Sequence, residues 1–151
     1  MTDDYLQRFS GIARLYGSEG LQRLHGAHVC VIGVGGVGSW VVESLARSGL
    51  GALTLIDLDD VCITNVNRQL PAMDGTVGLS KVQVLAQRVA LINPACRVTQ
   101  VLEFVSEANV GRLLDGDFDF VVNAVDRMSI KAAIIGTCAR AAKSVITLGS
   151  A

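Results

Sequence analysis

Residues 29–40 read "VCVIGVGGVGSW", and this stretch decides the fold. An apolar run over 28–32 predicts a strand, which empties into Gly33, Gly35, Gly36 and Gly38. Val37, Trp40, Val41, Leu45 and Ser48 then recur at helical spacing and predict a helix whose apolar stripe carries those residues. The glycines satisfy G-x-G-x-x-G between a strand and a helix start, where the backbone can approach a ligand closely and free N–H groups attract an anion. A tight strand–helix turn without a ligand is the alternative. Asp57 lies about 20 residues further on, as a dinucleotide fingerprint requires, and its carboxylate can accept hydrogen bonds from both ribose hydroxyls. A nucleotide is therefore expected, with NAD as the default occupant.

Outward from this unit, Gly49 and Gly51 stop the helix, and a second strand over 53–56 ends on Asp57. A polar, irregular stretch runs to about Gly78. A helix over 79–92 follows, with Val82, Leu85, Val89 and Ile92 on one face and Asn93-Pro94 as its stop. A strand over 98–102, a short helix over 107–114, a buried strand in "FDFVVNAVD" ending on Asp126, a helix over 130–142 and a strand in "SVITLG" complete the chain. Strands that are nearly continuous apolar runs, alternating with helices, predict an α/β fold: a Rossmann-like, doubly wound, mainly parallel sheet with helices on both faces. The expected division is an N-terminal helical segment over 1–27 and a Rossmann-like ATP-binding domain over 28–151. Tyr5, Phe9 and Tyr16 belong to the leading segment and are expected to pack on the domain or on a partner.

Composition narrows the function. The 151 residues are 50% hydrophobic, which suffices for one compact core. No apolar run approaches the roughly 20 residues of a membrane span. The N-terminus "MTDDYLQRFS" lacks the pattern of a signal peptide, so a cytoplasmic protein without membrane contact is expected. Cys30, Cys62, Cys96 and Cys138 are irregularly spaced and without a C-x-x-C pair, which disfavours zinc and predicts reduced thiols in a core. A net charge of −1 and the absence of a Lys/Arg block predict only weak, salt-sensitive binding of nucleic acid by this portion.

What argues against NAD is residues 57–81, "DLDDVCITNVNRQLPAMDGTVGLSK". This long polar insert carries Asp59, Asn65, Asn67, Arg68, Gln69 and Lys81 above the strand ends. Two cations there suit a triphosphate, Arg68 through its planar fork and Lys81 as a mobile point charge. An exposed loop residue and a helix-start residue are the structural alternatives, although a lysine at a helix N-terminus is electrostatically unfavourable. Asp126 either holds Mg²⁺ at the ligand-binding edge of the sheet or caps the next helix together with Ser129. Cys62 is read as a small buried residue rather than an acyl acceptor, because no base adjoins it.

"GVGGVGSW", "DLDDVCITNVNRQ", "GLSK" and "VVNAVD", in this order and spacing, resemble the ubiquitin-activating enzyme superfamily in its bacterial, ThiF-type branch with the thiamine- and molybdopterin-pathway adenylyltransferases. "RFSGIARLYG", "DDVCITNVNRQ" and "INPACRVT" are similar to stretches of one family within it, the tRNA threonylcarbamoyladenosine dehydratases. The resemblance implies ATP-dependent adenylation of a carboxylate, which gives an acyl-adenylate and pyrophosphate. In the dehydratases the carboxylate belongs to a threonylcarbamoyl group on tRNA, which then cyclises with net loss of water. It implies Gly33, Gly35, Gly36 and Gly38 beside the phosphates, Asp57 at the ribose, and Arg68 and Lys81 on the phosphoryl charge. Asp126 would bind Mg²⁺, and Arg68, Lys81 and Asp126 together would be catalytic. A homodimer and tRNA as substrate of the full-length protein are implied as well. The alternatives are adenylation of a ubiquitin-like sulfur-carrier protein with a sulfur-transfer partner, an NAD-dependent oxidoreductase, and a non-catalytic nucleotide-binding module. In the sulfur-carrier branch an R-[YF]-x-R-Q pattern precedes the glycine motif; here Gly11 stands at its second arginine, with Arg8 and Arg14 nearby. The family also continues past the last strand, so further chain is expected after Ala151, and full activity is not expected of this chain alone.

Overall fold

The structure is a computed structural model and describes residues 1–149. β1 (His28–Ile32), β2 (Ala52–Ile56), β3 (Arg97–Val101), β4 (Phe120–Asn123) and β5 (Val145–Thr147) form one sheet in the order β3-β2-β1-β4-β5. Every pairing is parallel. The register sets Ile32 beside Ile56 and Asn123, Ile56 beside Val101, and Asn123 beside Thr147. One row of residues thus ends all five strands at the same level, and the segments leaving that row converge above it. The chain winds outward from β1 in one direction through β2 and β3 and in the other through β4 and β5. The switch between β1 and β4 is where such sheets bind ligands.

The alternation along β1 divides the core in two. Val29 and Val31 face α3 (Gly38–Arg47) and α4 (Lys81–Ile92), packing with Val42, Leu53, Leu55, Val82, Leu85 and Val89. Cys30 and Ile32 face α5 (Val110–Leu113) and α6 (Met128–Arg140), packing with Ile56, Val121, Ile130, Ile134 and Cys138. All five residues of β2 are buried, as a central parallel strand covered on both faces requires. The doubly wound expectation therefore holds, with helices on both faces.

Several boundaries and faces differ from the sequence expectation. The buried face of α3 is Gly38, Ser39, Val42, Glu43 and Ala46, one step round from the predicted stripe. Small residues let the helix approach the sheet closely, so Val41 and Leu45 sit at the margin of the core and Trp40 stays 54% exposed. β4 ends at Asn123, three residues before Asp126, because Ala124 leaves the sheet beneath the Gly33 turn. α4 begins at Lys81 rather than at Leu79, since Ser80 bridges back to Asp60. α1 (Asp3–Arg8) and α2 (Ser10–Gly26) make up the leading segment, and Gly17 breaks the second with a φ of 77°. Tyr5 and Phe9 are buried against Gly49, the Tyr5 hydroxyl donating to the Gly49 carbonyl, whereas Tyr16 is exposed. Ser150 and Ala151 of the expected domain lie outside the described residues.

Buried Glu43 accepts hydrogen bonds from Arg88 Nε at 2.5 Å and Nη2 at 3.0 Å and from Arg47 Nε at 2.8 Å, which ties α3 to α4. No helix among the described residues is long and apolar enough to cross a membrane.

Candidate functional site

The four glycines after β1 divide by task. Gly33 has a φ of 81°, a left-handed conformation that β-carbon sterics penalise in other residues, and its N–H donates to the Ile56 carbonyl at 2.9 Å. A Cβ on Gly38 would come within 1.8 Å of the Gly33 carbonyl oxygen, so that glycine permits close packing of helix on turn. Gly35 and Gly36 meet no backbone: a Cβ on Gly35 would lie 3.6 Å from Gln69 Nε2, and one on Gly36 would lie 3.8 Å from Cγ and Cδ of Arg68. The first turn of α3 opens beside them with no side-chain cap on its N–H groups.

Asp57, directly beyond β2, shapes the turns around it. Its Oδ2 accepts from the Val34 N–H at 2.8 Å and its Oδ1 from the Asp59 N–H at 2.9 Å. Each carboxylate oxygen retains a second lone pair for a ligand hydroxyl. Lys81 is 5% exposed at the start of α4, and its Nζ donates to Asp59 Oδ2 at 2.8 Å. That pair offsets the unfavourable place of a lysine at a helix N-terminus and presents the cation as half of an ion pair.

The insert folds around buried Asn65. Its Oδ1 accepts from the Cys62 N–H at 3.0 Å, and its carbonyl accepts from the N–H groups of Arg68 at 3.1 Å and Gln69 at 2.9 Å. Arg68 Nη1 donates to the Thr64 carbonyl at 3.1 Å and to Asn67 Oδ1 at 2.9 Å. Gln69 is 9% exposed, and its buried Oε1 accepts no hydrogen bond among the described residues. The Gln69 amide nitrogen is the atom that approaches Gly35, so a polar side chain edges the glycine turn.

These elements enclose a cavity of about 710 Å³. Gly33, Gly35 and Gly36 line one wall, and Asp57, Asp59, Asn65, Arg68, Gln69 and Lys81 the next, with Asp126 also on the lining. Gly38 and Asn67 do not reach it: the first is under the turn, and the second supports Arg68. Asp126 is exposed, and Arg127 occupies the N-cap of α6 with no side-chain cap bond, so Asp126 does not cap that helix. No group of three or more His, Cys, Asp or Glu side chains that could hold a metal ion occurs among the described residues. One carboxylate fits the habit of Mg²⁺, which commonly takes one or two carboxylates and completes its shell with water and phosphate oxygens.

Sequence reasoning missed Glu103, Phe104, Ser106 and Arg127, which also line the cavity. The signal was positional, because "LEFVS" leaves β3 at the level where the other strands release site residues. It also erred on Cys62, which is exposed. The Thr64 hydroxyl donates to its sulfur at 3.2 Å and holds the thiol below its ordinary range. Cys30 and Cys138 are buried, and burial pushes Cys30 up to about 12.

The family model described as "ThiF family" matches residues 8–151. The chain belongs to the ThiF family. This ThiF-family chain is 55% identical over 149 residues to the tRNA threonylcarbamoyladenosine dehydratase of Haemophilus influenzae, covering 99% of this chain and 57% of that protein. It is 50% identical over 151 residues to the Escherichia coli protein of the same name, covering 100% of this chain and 56% of the relative. The crystal structure of the E. coli dehydratase in complex with ATP superposes with a TM-score of 0.95 at 50% identity, over 97% of this chain and 60% of that one. The chain thus spans little more than half the length of these relatives.

Proposed function

We propose that this chain is the nucleotide-binding portion of a cytoplasmic, ATP-dependent adenylating enzyme that acts on the threonylcarbamoyl carboxylate of tRNA. The observation that carries the reading is the cavity itself, whose lining brings together an open glycine turn, Asp57, Arg68 and Lys81. The relatives named as dehydratases, one of them described in complex with ATP, support the choice of nucleotide and substrate. ATP supplies an electrophilic α-phosphorus at which a carboxylate displaces pyrophosphate. For the chain's own residues the task is positioning and charge neutralisation. The amides of Gly35 and Gly36 and the uncapped start of α3 meet phosphate oxygens, and Asp57 takes the ribose hydroxyls. Arg68 engages the phosphates with a planar fork, and Lys81 is held in place by its hydrogen bond to Asp59. Asp126 would hold Mg²⁺ together with phosphate oxygens. Exposed Ile63, Val66, Met73 and Val77 on the insert favour a homodimer.

Thermal unfolding tests the nucleotide. ATP with Mg²⁺ at about 100 times its Kd adds about 2.7 kcal/mol, a rise of roughly 5–10 °C for a chain of this size, and NAD adds nothing. Stabilisation by NAD alone would overturn the reading. Substrate-dependent exchange of pyrophosphate into ATP by the full-length protein then tests the substrate, with threonylcarbamoylated tRNA expected to support it. Exchange supported instead by a Gly-Gly-ending carrier protein would reassign the substrate.

A further inference from the structure

Trp40 is a large apolar side chain left 54% exposed on a helix whose packing face uses small residues. Core packing does not explain it, but its polar handle is engaged: Nε1–H donates to the Arg68 backbone carbonyl at 3.1 Å. One residue earlier, Ser39 Oγ accepts from the Leu70 N–H at 3.3 Å. Between these two ties the Gln69 amide lies against Gly35, and the aliphatic stem of Arg68 lies over Gly36. Among the described residues the side-chain hydrogen bonds of Arg68 itself run only to Thr64 and Asn67, inside the same insert. They fix the guanidinium relative to the insert and leave its place relative to the glycine turn to the first turn of α3.

We infer that Trp40 is a positioning residue: its indole N–H anchors the Arg68 backbone to the first turn of α3 and so sets where the guanidinium meets the ligand above Gly36. The inference rests on the nucleotide reading given above, because Arg68 is worth placing only if phosphate lies there. Phenylalanine at this position keeps an aromatic body and loses the donor. Removing it frees one of the two ties on residues 68–70 while β1 and the remainder of α3 keep their own bonds.

The experiment compares the unmodified chain with Trp40→Phe, Arg68→Ala and the double variant. Amide exchange is followed without ligand, and ATP binding with Mg²⁺ is measured by calorimetry. In Trp40→Phe the amides of Arg68, Gln69 and Leu70 exchange faster while those of β1 and β2 keep their protection. ATP binds about three- to tenfold more weakly, the range set by loss of one hydrogen bond. In the Arg68→Ala background the same substitution changes affinity less than twofold, because its effect passes through Arg68. A merely structural role would instead lower affinity equally in both backgrounds. Trp40 is also the only tryptophan, so ATP shifts its emission in the unmodified chain, and Arg68→Ala removes most of that shift. Unchanged exchange at 68–70, equal losses in both backgrounds, or emission blind to calorimetrically bound ATP would each overturn the inference. An unmodified chain that binds no ATP would overturn the nucleotide reading, with exchange at 68–70 then deciding the anchoring on its own.

Discussion

Replacing Glu43 by alanine tests whether the angle between the two helices that present the site is held by one buried carboxylate. α3 carries the glycine turn at its start and α4 carries Lys81, so the Glu43–Arg88 contact joins the two sides of the cavity. Three hydrogen bonds are lost, and they are unequal. Arg47 is 61% exposed, and its share is the few tenths of a kcal/mol of a surface pair. Arg88 is 30% exposed and bonds both carboxylate oxygens, which makes it the main partner. Breaking a fully buried pair costs about 3–5 kcal/mol, and partial hydration of Arg88 reduces that to about 2–3 kcal/mol here. For a chain of this size the loss corresponds to a fall in Tm of roughly 5–10 °C. The pH dependence follows from the same contact. The Arg88 hydrogen bonds hold the Glu43 carboxyl below the usual carboxylate range against the opposing effect of burial, with Arg47 adding to them. A depressed folded-state pKa gives stability that is present above the unfolded value of about 4.3 and lost as pH falls through the folded value. Urea unfolding of the unmodified chain and Glu43→Ala should therefore differ fully at pH 7 and converge in acid. A loss under about 0.5 kcal/mol at pH 7, or a difference that persists in acid, would refute the reasoning.

Other outcomes follow from single contacts. Gly38→Ala drives a methyl group into the Gly33 carbonyl, where only backbone can yield, and should cost about 2–3 kcal/mol by thermal unfolding; an unchanged Tm would show that α3 can move away. Asp57→Asn puts an amide where two backbone N–H groups need acceptors, and calorimetry should find ATP bound about tenfold more weakly, whereas equal affinity would remove Asp57 from the ribose site. With limiting iodoacetamide, mass spectrometry should find Cys62 carbamidomethylated first and Cys30 and Cys138 protected; early modification of Cys30 would contradict its burial.

The doubly wound sheet was legible because its evidence is local. Apolar runs bounded by glycine, a G-x-G-x-x-G spacing directly after a strand, and Asp57 at a strand end can each be read along the chain without knowing what packs against them. The insert was recognisable as ligand-binding from its charge and length, yet its internal wiring was not, because Asn65 and Asp59 bond to partners specified only once the loop closes. Helix faces were less legible. The predicted α3 stripe followed hydrophobicity, whereas the fold buried small residues together with a paired glutamate, since distance to the sheet decides what fits. By itself the sequence determined the order of strands and helices, the parallel sheet and the cluster of candidate phosphate-binding residues, all set by periodicity and steric limits along the chain. Only the tertiary structure decided that Lys81 is shared with Asp59, that Arg68 lies over Gly36, that Trp40 ties it there, and that the segment after β3 joins the cavity. Those facts depend on distances between segments far apart in sequence, which packing sets and local propensity does not encode.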